Sequence, residues 1–243
     1  VSGVSMKQAI IVGASSGIGW ELAVQLAAKG YQLGLMARRG DCLARLAGLL
    51  PGDHFVQMTD VTNAEKSQAE LKQLIELMGE VELIVVNSGV GRKEKQLDWV
   101  VECEMIDVNV RGFSAMAVVA MNHFLARGGG HLVGISSAAA HFSGGLTLTY
   151  NATKAYVSSY LRGMRSRAIR SKLPITVTTV EPGFVATPMV EGEPMWLATV
   201  EKGVSQMVTA IEGKKNHVFI TKRWRLVAWL LYIVPDALIR RLV

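Results

Sequence analysis

The chain has 243 residues, half of them hydrophobic and 19% charged, which gives apolar material for one substantial core and excludes a disordered chain. Its 24 glycines and 6 prolines are dispersed among apolar runs, which excludes a low-complexity or collagen-like composition. The net charge of +6 and the two cysteines come without a basic run interleaved with aromatics and without a CxxC pair, so we expect no nucleic-acid partner and a reduced, cytoplasmic protein.

Residues 1–5 precede Met6, which reads as a natural start, and are set aside. The first apolar run, 8–13, predicts a buried strand that feeds Gly13-Ala14-Ser15-Ser16-Gly17-Ile18-Gly19 and a helix over 17–29. Glycines permit a tight turn and close backbone approach, and the helix start offers free amides to a phosphate, although a plain strand-to-helix turn has the same composition. The second strand, 32–36, ends on Ala37-Arg38-Arg39. A carboxylate at this place would bind the two ribose hydroxyls of NAD, whereas Arg38 and Arg39 can neutralise a 2′-phosphate, which favours NADP(H).

The third strand, 54–58, leads to Asp60-Val61-Thr62 and a helix over 63–78. Asp60 and Val61 suit an adenine amine and ring, but Asp60 or Thr62 would equally suit a helix N-cap. The fourth strand, 83–86, is followed by Asn87-Ser88-Gly89, a polar side chain and turn beside the same ligand or simply a turn. A long helix over 98–126 carries Asn109. The fifth strand, 131–135, ends at Ser136-Ser137, and a helix over 149–171 opens with Tyr150-Asn151-Ala152-Thr153-Lys154. The four-residue step places phenol and ammonium on one face, where the charge is expected to lower the tyrosine pKa. The sixth strand, 175–180, precedes Pro182-Gly183-Phe184-Val185-Ala186-Thr187; a helix over 199–212 and a strand over 217–220 follow.

This alternation predicts an α/β fold: a Rossmann-type, doubly wound parallel sheet with helices on both faces, forming a single domain over 6–221. Ligands then sit at the carboxyl ends of the strands. Residues 222–243 form a basic and apolar helical extension, with Lys222, Arg223 and Arg225 before the apolar run 226–234 and Arg240 and Arg241 after it. Nine apolar residues are too few to span a bilayer, leaving packing over the substrate pocket, a subunit interface, or peripheral contact with an anionic membrane.

Taken together, the glycine turn, Asn87-Ser88-Gly89, Asn109, Ser137, the Tyr150–Lys154 pair and Pro182-Gly183 resemble the short-chain dehydrogenase/reductase (SDR) family over about residues 7–220. The resemblance implies that Tyr150 is the general acid or base and that Lys154 holds the nicotinamide ribose. It implies further that Ser137 bonds the substrate oxygen and Asn109 retains a water leading to Lys154. Val185 would meet the carboxamide through its backbone, and Thr187 the cofactor phosphates. Departures are Val12, where threonine is usual, and Ser88, where alanine is usual. The resemblance also implies a homodimer or homotetramer packed through the long helices. The expected activity is hydride transfer between NADP(H) and a small-molecule carbonyl or alcohol, apolar in character. The alternative is a catalytically weak NADP(H)-binding sensor or scaffold. His141, Phe142, Met189, Met195 and Trp196 flank the substrate side, as pocket lining or as packing. The five histidines and two cysteines form no ligand-spaced cluster, and no metal is expected.

Overall fold

In a computed structural model, which describes residues 6–142, 144–190, 192 and 196–233, seven parallel strands form one sheet in the order β3-β2-β1-β4-β5-β6-β7. The strands are β1 (Gln8–Val12), β2 (Gln32–Ala37), β3 (Phe55–Met58), β4 (Val81–Val86), β5 (Gly130–Ile135), β6 (Ile175–Pro182) and β7 (His217–Ile220). Helices α1 (Gly17–Ala28), α2 (Gly40–Leu49), α3 (Ala64–Met78), α4 (Trp99–Ile106), α5 (Phe113–Arg127), α6 (Leu148–Ser171), α7 (Val200–Glu212) and α8 (Trp224–Ile233) join or follow them.

The strands lack polar alternation because both faces of the sheet are covered. Ile10 and Val12 of β1 pack with Ile84 and Val86 of β4 beneath α3, α5 and α6. Their neighbours Ala9 and Ile11 pack with Leu83 and Val85 on the other face, beneath α1, α2 and α7. The period of two thus distributes one apolar strand between two cores. Between β1 and β4 the winding reverses, since β2 and β3 lie on one side of β1 and the later strands on the other. A crevice opens at that point, above the carboxyl ends of the strands.

The helix expected over 98–126 is three pieces. A π-helical turn, Asp107–Gly112, separates α4 from α5. Two close contacts fix it: Asn109 bonds the backbone of Val90, and Gly112 lies so near Val61 that a Cβ would stand 2.7 Å from the Val61 carbonyl oxygen. The widened turn brings both residues to their partners without breaking the helix. The helical extension is observed as α8; Met195 and residues 1–5 and 234–243, with Arg240 and Arg241, lie outside the described residues.

Candidate active site

The floor of the crevice is the turn after β1. Gly13 takes φ +93°, a conformation other residues rarely adopt, so that its N–H and that of Ala14 donate to the Met36 carbonyl at 2.7 and 3.1 Å. The Asn87 amide donates to the Gly13 carbonyl at 2.8 Å, pinning the turn to the end of β4. A Cβ at Gly19 would collide with that carbonyl and stand 2.6 Å from Asn87 Nδ2. Asn87 is therefore part of the turn's construction as well as of the crevice wall.

Ser16 caps α1 with extended backbone, but its hydroxyl makes no capping bond and the first turn holds no acid. The first amides of α1 thus face the crevice end with the positive pole of the helix behind them. Arg39 crosses from the end of β2 and donates to Ser15 Oγ at 3.0 Å and to Ser16 Oγ at 2.7 Å. Guanidinium, two hydroxyls and free helix amides form a donor set suited to phosphate, and Thr187 adds a hydroxyl-bearing side chain beside Gly17. A dinucleotide fits these residues: the glycines leave its backbone approach open, and the crevice has a volume of about 440 Å³.

The cofactor-binding and catalytic residues singled out from the sequence all line this one crevice except Gly19 and Asn109. Asp60 lines it while Oδ1 accepts from the Thr62 N–H and hydroxyl at 3.0 and 2.9 Å. Neither of them caps α3; Asn63 does, accepting from the Lys66 N–H at 3.2 Å.

At the opposite end stand the reactive side chains. Lys154 Nζ donates to the Ile135 carbonyl at 3.2 Å and lies 5.8 Å from the centre of the Tyr150 ring. Burial pushes the Tyr150 phenol up, with a hydrogen bond from the Ser137 hydroxyl pulling the other way, and it lowers Lys154 to about 8. The expected depression of the phenol by Lys154 is not what the geometry gives. The ammonium lies over the ring, and desolvation of the buried phenol outweighs its charge. Ser137 Oγ accepts from the Ala139 N–H at 3.1 Å and donates to the Pro182 carbonyl at 3.3 Å.

Above these side chains runs a strip of backbone that the sequence did not single out as a unit. A Cβ at Gly89 would stand 3.1 Å from Lys154 Nζ, and one at Gly91 2.9 Å from Tyr150 Cδ2. Val90, between them, is held by Asn109: its N–H donates to Oδ1 at 2.9 Å and its carbonyl accepts from Nδ2 at 2.8 Å. Nδ2 also donates to Thr153 Oγ1 at 3.0 Å. Both amide protons of Asn109 are committed to protein, so a water could engage its carboxamide only by donating to Oδ1.

A second polar network, missed from sequence, lies behind Ser137. The buried Glu181 at the end of β6 accepts at Oε2 from His141 Nε2 at 2.6 Å and His217 Nε2 at 2.9 Å. Ser158 donates to its Oε1 at 2.7 Å. Ser136 Oγ lies 2.8 Å from Ser158 Oγ and 2.8 Å from the Lys154 carbonyl, extending the chain to the reactive helix. Burial alone would push Glu181 up, but the bonds from His141, His217 and Ser158 and the charge of His217 hold it at about 2. His141 therefore faces Glu181 rather than the crevice; Met189 lines the crevice, and Trp196 packs edge-on against Trp224 at 5.9 Å.

Residues 7–197 match the short chain dehydrogenase family profile. An uncharacterized oxidoreductase of Mycobacterium tuberculosis is 30% identical over 253 residues, covering 99% of both chains. A short chain dehydrogenase/reductase from Burkholderia phymatum in complex with NAD superposes with a TM-score of 0.84 at 22% identity, covering 92% of each chain. An alcohol dehydrogenase from the archaeon Thermococcus sibiricus, complexed with 5-hydroxy-NADP, superposes with a TM-score of 0.76 at 25% identity, covering 88% of this chain and 96% of that one.

Proposed function

The chain belongs to the short-chain dehydrogenase family, and from that premise we propose that it is an NADP(H)-dependent oxidoreductase acting on a carbonyl or alcohol, with Tyr150 as acid and base. One observation carries this reading: a single crevice joins the Arg39–Ser15–Ser16 donor set at one end to Tyr150, Lys154 and Ser137 at the other. Arg38 and Arg39 would hold a 2′-phosphate, the α1 amides and Thr187 the pyrophosphate, Lys154 the nicotinamide ribose, and the Val185 backbone the carboxamide. The cofactor, when bound, supplies or accepts the hydride.

The protein's own part is proton placement. In reduction, Tyr150 Oη delivers a proton to the carbonyl oxygen, and its raised pKa keeps that proton available at neutral pH. Lys154, at about 8, remains mostly charged at pH 7 and favours the phenolate that the transfer leaves behind. Ser137, whose proton goes to Pro182 at a long 3.3 Å, would turn that proton toward the substrate oxygen and steady the developing charge.

The test is a panel of aldehydes, ketones and their alcohols followed by NADPH absorbance, with Tyr150→Phe as control. The variant should bind NADPH normally and lose about 10²–10⁴-fold in turnover, the usual worth of general acid–base catalysis. Near-normal turnover would remove Tyr150 from the mechanism. No turnover of any substrate, with NADPH binding intact, would point to the sensor instead.

The same reading includes a homo-oligomer. A groove of about 700 Å³ runs between α5 and α6, bordered by Val118, Tyr156, Tyr160 and Met164, and this is where a second copy would pack. Light scattering should give a multiple of 26.3 kDa; a single-chain mass would overturn it.

A further inference from the structure

Helix α8 has two apolar stripes. Trp224, Val227 and Ala228 pack inward with Ala138 and Phe219. The rings of Phe184 and Trp196 meet Trp224 edge-on at 5.4 and 5.9 Å, which seats the helix beside the Pro182–Gly183 wall of the crevice. The second stripe, Leu226, Trp229 and Leu230, follows the same spacing of three and four but faces outward, 65, 62 and 52% exposed. One anchored stripe suffices to hold the helix, so the second needs a different partner.

The surroundings say which. Lys222, Arg223 and Arg225 are exposed at the start of the helix, and among the described residues none forms an ion pair. The sequence of α8 contains no acid. Arg223 lies 5.6 Å from the Trp196 ring centre, and Trp196 and the half-exposed Phe184 both meet Trp224 beside the Pro182–Gly183 wall of the crevice, which the half-exposed Met189 also lines. We propose that the outer face of α8 docks on an anionic lipid surface. Lipid phosphates and carboxylates neutralise the three cations, Leu226 and Leu230 enter the acyl boundary, and Trp229 sits at the interface. Pairing two copies through α8 would instead bring together two helices that carry cations and no carboxylate to offset them. The ten described residues of α8 are too few to cross the bilayer, and on this reading the helix lies in its plane. The crevice then opens against the membrane and receives an apolar carbonyl or alcohol dissolved in it; this last step rests on the oxidoreductase reading.

Intact protein is co-sedimented with phosphatidylcholine vesicles and with vesicles of mixed phosphatidylserine and phosphatidylcholine. Three cations near such a surface should give on the order of 100-fold preference for the anionic vesicles at low salt, shrinking as salt is raised. Leu226→Glu with Trp229→Glu should abolish binding while NADPH affinity stays unchanged. Lys222→Gln with Arg225→Gln, which alters only exposed charge, should cost at least about tenfold even if the first pair disturbs folding. Absent binding, or equal binding to both vesicles, overturns the proposal. So does conversion of an oligomer to a single chain by either pair without lipid, which makes this stripe a subunit interface. If vesicle binding holds while no carbonyl is reduced, the enzymatic reading fails and lipid docking stands.

Discussion

Arg39 already holds the geometry that a phosphate would use, with its guanidinium drawn onto the Ser15 and Ser16 hydroxyls. Replacing Arg38 and Arg39 by Ala should therefore weaken NADPH much more than NADH. Charge-assisted bonds are worth about 1.5–3 kcal/mol each before solvent screening, so we expect at least a tenfold loss for NADPH and little change for NADH. Fluorescence titration with both nucleotides checks it, and equal losses would mean that the pair supports folding. The positions of these arginines were legible because a strand end and a residue count fix them. The Tyr150–Lys154 pair was legible for a similar reason, since helical spacing fixes adjacency. Its electrostatics were not: spacing is silent on whether the ammonium meets the hydroxyl or the ring face, and on how much water reaches either. Gly91 carried no signal either, because its role comes from Tyr150 lying beneath it.

Among the elements, strands were easier to read than helix breaks. Continuous apolar runs such as 83–86 can hardly be anything but buried strands, and the sheet contains each of the seven expected. The π-helical turn within 98–126 had only Gly112 to mark it, and a lone glycine does not specify such a turn; its causes are tertiary contacts, the Asn109 clamp on Val90 and the close approach of Gly112 to Val61. Asn109→Ala removes both partners of the Val90 backbone, at about 1–3 kcal/mol per orphaned buried group. The Val90 amide should exchange with deuterium far faster, and turnover should fall with NADPH affinity retained, because the 89–91 strip over Tyr150 and Lys154 loosens. Unchanged exchange at Val90 would show that the strip is held by something else. The Glu181 network was hidden in the same way. His141, Glu181 and His217 are far apart in sequence, and only the β5-β6-β7 order brings them together.

For the whole molecule, that network binds three segments into one acid-sensitive unit. Glu181 falls from the ordinary 4.5 to about 2 on folding, so the folded state holds fewer protons than the unfolded one between those values. Its contribution, on the order of 3 kcal/mol, is complete above pH 4.5 and is lost as pH falls toward 2. Glu181→Gln should melt lower than the parent at pH 6, with the gap closing below pH 4.5; a gap independent of pH would trace the loss to packing. The parallel sheet has a further consequence, for anyone attaching this protein to a support. All seven parallel strands end at one rim, where the crevice opens, and α8 stands at that rim. The opposite rim holds the start of β1 and turns such as those at Gly52 and Gly79, where an added methyl would meet nothing within 4 Å. A tether or inserted tag at that rim would leave the crevice facing outward, whereas one inserted beside Trp224, at the start of α8, would stand in its doorway.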